Sequence, residues 1–224
     1  MTKLLIAGAT GLVGKLVLEQ ALADDRVSRV IALTRRPIES RDKLENVVID
    51  FSNMPKQTSW WGVDGVVSAL GTTRAITPSR SAYRAVDFDY PLAVARCARE
   101  HGATNFALTS SLGADARSPF AYTRTKGELE LELKKLDFPC LTIVRPSVLD
   151  GHREQQRLDE RMAKIIFSML APVLPRRLRI SPASAVAASF VDGAIDAPPG
   201  VHIKHNEDME LGLAPHNRVA TTGR

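Results

Sequence analysis

Tyr122 and Lys126 stand one helical turn apart in the run Tyr122-Thr123-Arg124-Thr125-Lys126. On a helix, that spacing sets both side chains on one face. A free phenol titrates near ~10, so at neutral pH it passes protons readily only when a nearby positive charge favours its phenolate. The lysine ammonium supplies that charge. Upstream stand Ser110 and Ser111. A serine hydroxyl beside the phenol can hold a substrate oxygen while the tyrosine gives or takes the proton; Ser111 is the first candidate and Ser110 the second. Such a set handles the proton at a carbonyl or alcohol oxygen, and it needs a hydride carrier to complete a reaction.

A place for the carrier is written at the amino end. The apolar run Lys3-Leu4-Leu5-Ile6-Ala7 leads into Gly8-Ala9-Thr10-Gly11-Leu12-Val13-Gly14, and Leu12, Val13, Leu16, Val17 and Ala21 then form a helical stripe. The glycines therefore lie at a strand-to-helix turn. Glycine there permits positive φ, lets a pyrophosphate approach the backbone and lets helix pack close on strand, while the helix N-terminus offers amide hydrogens to the phosphates. Gly8, Thr10, Gly11, Leu12, Val13 and Gly14 are the candidate contacts. The spacing is Gly-x-x-Gly-x-x-Gly, not the tighter Gly-x-Gly-x-x-Gly. An acidic residue for a ribose 2′-hydroxyl is expected about 20 residues beyond the turn. That position holds Thr34, followed by Arg35 and Arg36. Two guanidiniums suit a 2′-phosphate, so NADP(H) is expected over NAD(H).

These groups must be carried by alternating elements. The chain offers apolar strand candidates at Arg29–Leu33, Asn46–Asp50, Asp64–Leu70, Asn105–Thr109 and Cys140–Arg145. Between the last strands lie a long helical stretch, Arg80 to Glu100, which Pro91 should kink or divide, and a helix opened by Pro119. Strand–helix alternation predicts an α/β fold, a doubly wound parallel sheet of the Rossmann type. Strand ends then add Asp50 and Phe51 near an adenine, and Leu70, Gly71 and Thr72 facing the middle of a dinucleotide. Residues 1–214 read as one NAD(P)-binding domain, with 151–214 as a small substrate-side lid and 215–224 as a flexible tail. The lid includes helical stretches at Glu154 to Leu170 and Ser184 to Ile195, and a strand at Val201 to Lys204.

Composition narrows the partners. The 224 residues hold 30 basic and 25 acidic side chains, a charge of +5 that suits an anionic cofactor. Long basic runs with interleaved aromatics are missing, so no nucleic-acid partner is expected. The strand that opens the chain leaves no room for a secretory leader, and no apolar stretch reaches the roughly 20 residues of a membrane span. Cys97 and Cys140 are far apart in sequence, and the five histidines show no metal-ligand spacing; no metal is expected, and a reducing cytoplasmic setting is. The oligomeric state, monomer or dimer, stays open.

The ordered set Gly8-x-x-Gly11-x-x-Gly14, Ser110-Ser111, Tyr122-x-x-x-Lys126 and Arg145-Pro146-Ser147-Val148 resembles the short-chain dehydrogenase/reductase superfamily. Leu70-Gly71-Thr72-Thr73-Arg74, Val86-Asp87-Phe88-Asp89-Tyr90 and Ser110-Ser111-Leu112-Gly113-Ala114-Asp115 resemble, more narrowly, the Tat-interacting-protein oxidoreductases among its atypical members. The resemblance implies cofactor contacts from the glycine turn, Arg35, Arg36, Leu70, Gly71, Tyr122, Lys126, Pro146, Ser147 and Val148. The family's middle-helix asparagine is replaced near Asp87. The expected function is NADP(H)-dependent hydride transfer to or from a small carbonyl or alcohol substrate. A catalytically silent NADP(H)-binding sensor, regulator or assembly protein, and an isomerase or epimerase that recycles its hydride, are the alternatives.

Overall fold

Leu4 to Ala7 are buried without a break, as a central parallel strand requires, and Thr2–Ala7 forms β1. The glycine turn follows, and Leu12–Ala23 forms α1. The computed structural model describes residues 1–72, 77–147, 149–150 and 180–211. After α1 come β2 (Val27–Thr34), β3 (Leu44–Val48), short 3-10 turns at Phe51–Asn53 and Ser59–Trp61, and β4 (Gly65–Ser68). The helical stretch α2 (Arg80–Arg84) runs through a π-turn, Ala85–Asp89, into α3 (Tyr90–Glu100). Then follow β5 (Asn105–Thr109), α4 (Ala121–Lys134), β6 (Cys140–Arg145), β7 (Leu149–Asp150), β8 (Ser181–Pro182), α5 (Ala183–Ile195), β9 (Gly200–His205) and α6 (Asn206–Leu211).

Among the described residues the main sheet runs β3-β2-β1-β4-β5-β6-β9, every pairing parallel. The chain winds outward from β1 to β3, then returns to β4 beside β1. The strand order thus reverses between β1 and β4, the crevice where open α/β sheets bind ligands. Alternate residues of each strand serve opposite faces. Leu4 and Ile6 pack with Val13, Val17, Val186 and Phe190 of α1 and α5; Leu5 and Ala7 pack with Leu92, Ala95, Leu129 and Leu133 of α3 and α4. Helices cover both faces, so the doubly wound Rossmann architecture expected from sequence is the fold.

Some boundaries differ from expectation for physical reasons. β3 starts at Leu44 and stops at Val48, because the Asp50 carboxylate turns the chain by accepting from Ser52 N–H at 2.9 Å. Pro91 does not break its own segment; it sits in the first turn of α3. The irregularity falls just before it, at the π-turn. Pro91 has no N–H to give the Asp87 carbonyl, and the helix widens there. The expected helix Glu154 to Leu170 and the tail from 215 lie outside the described residues. No helix among the described residues is long and apolar enough to cross a membrane.

Candidate nucleotide-binding and catalytic cleft

Because all the strands are parallel, the segments following β1, β4, β5 and β6 share one edge of the sheet. Ala69 N–H donates to Ala7 O at 2.8 Å, Ser110 N–H to Val144 O at 2.8 Å and Leu112 N–H to Pro146 O at 2.9 Å, binding these segments side by side. The glycine turn fits that edge with no space to spare. Gly8 has φ of 93°, and a side chain there would stand 2.8 Å from the Ala69 carbonyl. A side chain at Gly14 would stand 1.9 Å from Gly8 O. Gly11 caps α1 and has no side chain of its own to compete for the first amides of the helix. Thr10 and Gly11 are exposed there, whereas Val13 is buried in the core and can offer only its backbone.

Arg35 and Arg36 follow β2 and are both exposed. Neither has an ion-pair partner among the described residues. Thr34 beside them is buried, its hydroxyl accepting from Asn46 Nδ2 at 2.8 Å. Asp50 is exposed, and Ser52's hydroxyl and N–H hold its carboxyl below the usual range. Phe51 is buried, with its ring centroid 5.8 Å from that of Tyr90. Leu70 and Thr72 are half-buried and Gly71 is exposed.

α4 carries the proton-transfer candidates. Its entrance is tied down by side chains: Ser118 Oγ lies 2.6 Å from Thr123 Oγ1, and Arg124 Nη1 donates to Ser118 O at 2.9 Å. Tyr122, in the first turn, is 41% exposed, while Lys126, one turn later, is 1% exposed. Lys126 Nζ lies 2.9 Å from Asp87 Oδ1 and donates to Thr109 O at 3.3 Å. Asp87 Oδ2 accepts from Thr72 N–H at 2.9 Å. The residues after β4 therefore touch the glycine turn through Ala69 and are linked to the lysine by way of Thr72 and Asp87.

The two serines face different surroundings. Ser110 is 1% exposed and gives its hydroxyl to Glu130 Oε1. Arg145 grips the same carboxylate, Nε to Oε1 at 2.9 Å and Nη2 to Oε2 at 2.5 Å. This bidentate bond holds the guanidinium above its ordinary pKa. Ser111 is half-buried, and its hydroxyl donates to the carbonyl of Leu112 at 3.1 Å. Past β6, Pro146 is buried and Ser147 N–H donates to Ser181 Oγ at 3.0 Å, whose own hydroxyl goes to the buried Asn206. Val148 lies outside the described residues.

A family model described as NAD(P)H-binding matches residues 8–164. The chain belongs to this NAD(P)H-binding family. "Protein FMP52, mitochondrial" of Debaryomyces hansenii is 36% identical over 155 residues, covering 68% of this chain and 69% of that protein. "Protein HTATIP2" of Rattus norvegicus is 35% identical over 170 residues, covering 74% and 70%. The sequence resemblance to the Tat-interacting-protein group therefore holds. Among solved structures, MoeE5 in complex with UDP-glucuronic acid and NAD superposes with a TM-score of 0.69 at 15% identity, covering 90% of this chain and 75% of that one. A short-chain dehydrogenase family protein from Francisella tularensis gives 0.60 at 16% identity, covering 94% and 99%. At such identities these neighbours support the fold alone.

The relatives correct one expectation. Several of them, from different fungi, are named mitochondrial, which overturns the cytoplasmic assignment. The structure also brings in residues that the motif reading passed over: Glu130, Thr109, Ser181 and Asn206. Only Glu130 left a trace in the sequence, as a carboxylate on the helical repeat one turn beyond Lys126.

Proposed function

We propose that this chain is an NADP(H)-dependent oxidoreductase acting on a small carbonyl or alcohol compound. One observation carries the reading: an accessible phenol, Tyr122, sits one turn from a buried ammonium, Lys126, which lies against the segment that touches the glycine turn. The residues suit a nicotinamide nucleotide. Gly8 and Gly14 leave backbone where side chains would collide, and Arg35 and Arg36 stand at the end of β2 with no ion-pair partner among the described residues. The bound nucleotide supplies or accepts the hydride.

The chain's own residues manage the oxygen. Ser111 orients it by hydrogen bonding: it is half-buried and its hydroxyl can leave the neighbouring Leu112 carbonyl, whereas Ser110 is buried with its hydroxyl given to the Glu130 carboxylate. Tyr122 donates its proton to that oxygen during reduction and takes it back during oxidation. Lys126 favours the phenolate left behind. Arg35 and Arg36 select the 2′-phosphate by charge-assisted hydrogen bonds.

Thermal unfolding with each of NADPH, NADP, NADH and NAD tests the reading, because a ligand that binds only the folded state raises the midpoint. The largest rise is expected with the 2′-phosphorylated pair, and NADPH should then be consumed only when a carbonyl compound is added. No rise with any nucleotide overturns the reading. Binding without consumption across a panel of carbonyls would replace it with the silent sensor.

A further inference from the structure

Asp87 is fully buried and charged, and the oxidoreductase chemistry above gives it no task. It comes from the π-turn, and such turns are enriched at functional sites. Its two oxygens are divided between two elements. Oδ2 holds the Thr72 N–H after β4, and Oδ1 faces the ammonium of Lys126 on α4. An ammonium with so little exposure is expensive to bury without a counter-charge. Glu130, one turn along α4, is already taken by Arg145 and Ser110. Among the described residues Asp87 is the one carboxylate within ion-pair distance of Lys126. Across from the pair, a side chain at Gly71 would rest 3.5 Å from Asp87 Oδ1 and 3.6 Å from Lys126 Nζ. Glycine leaves that side open.

We propose that Asp87 is a positioning residue for Lys126: its carboxylate ties the lysine ammonium to the Gly71–Thr72 segment, so that the charge serving Tyr122 and the nucleotide ribose is held at the cleft floor. The inference rests on the proposed function of the cleft. Lys126 donates one hydrogen bond, to Thr109 O, and faces Asp87 Oδ1 as an ion pair at 2.9 Å; the ammonium has three donors in all, so it can also bond a ligand. Without Asp87 the ammonium would lose both its counter-charge and its fixed direction.

Fluorescence titration with NADPH of four proteins tests this: wild type, Asp87→Asn, Lys126→Met and the double variant. Asparagine can still accept the Thr72 N–H but carries no charge, so a role limited to bracing that segment predicts wild-type affinity. The expected result is that each single variant weakens NADPH about tenfold while the double variant is no weaker than Lys126→Met alone, the signature of two residues acting as one. Wild-type affinity in Asp87→Asn, or losses that add in the double variant, overturns the proposal. If Asp87→Asn does not fold, recovery of folding in the uncharged double variant supports the same coupling. Lysine-selective nitrogen-15 NMR of the unmutated protein reads it independently: a Lys126 ammonium signal protected from exchange should move on addition of NADPH, and a signal unmoved at saturation overturns the proposal. Wild-type protein that binds neither NADPH nor NADH strikes first at the function proposed for the cleft, whereas normal wild-type binding with an unaffected Asp87→Asn strikes at this inference alone.

Discussion

At the glycine turn backbone meets backbone; along α4 charge meets charge. Gly8 and Gly14 let β1, α1 and β4 close on one another where a side chain would collide with backbone. The opposite wall buries two ion pairs, Lys126 with Asp87 and Arg145 with Glu130, around the paired serines at the end of β5. The difference teaches how each wall fails. A wall without slack is broken by adding one methyl group, and a wall of paired charges is broken by removing one partner.

Gly14→Ala is the most severe way to test the first wall, since its methyl would stand 1.9 Å from a backbone oxygen. A loss of at least ~3 kcal/mol, or failure to fold, is expected in denaturant unfolding. A variant as stable as wild type would mean that the turn has slack after all. Tyr122→Phe removes only chemistry from the second wall, because it deletes one hydroxyl and keeps the ring of a residue that is 41% exposed. Turnover should fall by roughly 10²- to 10⁴-fold, with NADPH affinity and thermal midpoint unchanged. Loss of affinity instead would show the phenol to be a binding group.

Glu130→Ala removes the carboxylate that Arg145 grips and that accepts the Ser110 hydroxyl. It should cost about 2–3 kcal/mol in stability, much of it recovered in Glu130→Gln combined with Arg145→Met. Equal losses in the single and double variants would refute the paired-charge description of that wall. Arg35→Ala with Arg36→Ala should weaken NADPH about tenfold and NADH little, measured by titration. Equal effects on both nucleotides would remove the argument for the 2′-phosphate.

The smallest effect belongs to a pair far from either wall, Asp24 with Arg26, which serves as a control. The Arg26 guanidinium holds the Asp24 carboxyl below its ordinary range. A lowered folded-state pKa contributes stability above the unfolded value, near ~3.9, and that contribution is lost as the pH falls through the lower folded value. Asp24→Asn should therefore cost ~1 kcal/mol at neutral pH, and its unfolding curve should converge on the wild-type curve at strongly acid pH. A gap that persists in acid would assign the loss to something other than this ion pair.

Local pattern carried far along this chain. β5 and β6 occupy the residues expected of them, because fully buried parallel strands are continuous apolar runs with sharp ends. β3 was harder to place because none of its residues is fully buried, and its end is decided by the side chain of Asp50. The π-turn was hidden for a related reason: Pro91 announced an irregularity, but the widening falls where its missing N–H is felt, one turn upstream. The two serines are adjacent and alike in sequence, where Ser111 ranks first and Ser110 second. Their separation depends on Glu130 and Arg145, which come from a different helix and a different strand.

The sequence by itself determined the order of strands and helices, the strand-to-helix glycine turn, the helical spacing of Tyr122 and Lys126, and the family. All of these are written in residue types within a few positions of one another, where backbone sterics and helical or strand period act. Only the tertiary structure decided which charges are paired, which serine is committed elsewhere and which glycine abuts which carbonyl. Those outcomes depend on groups distant along the chain competing for one small, water-poor space, and a linear pattern contains no term for that competition.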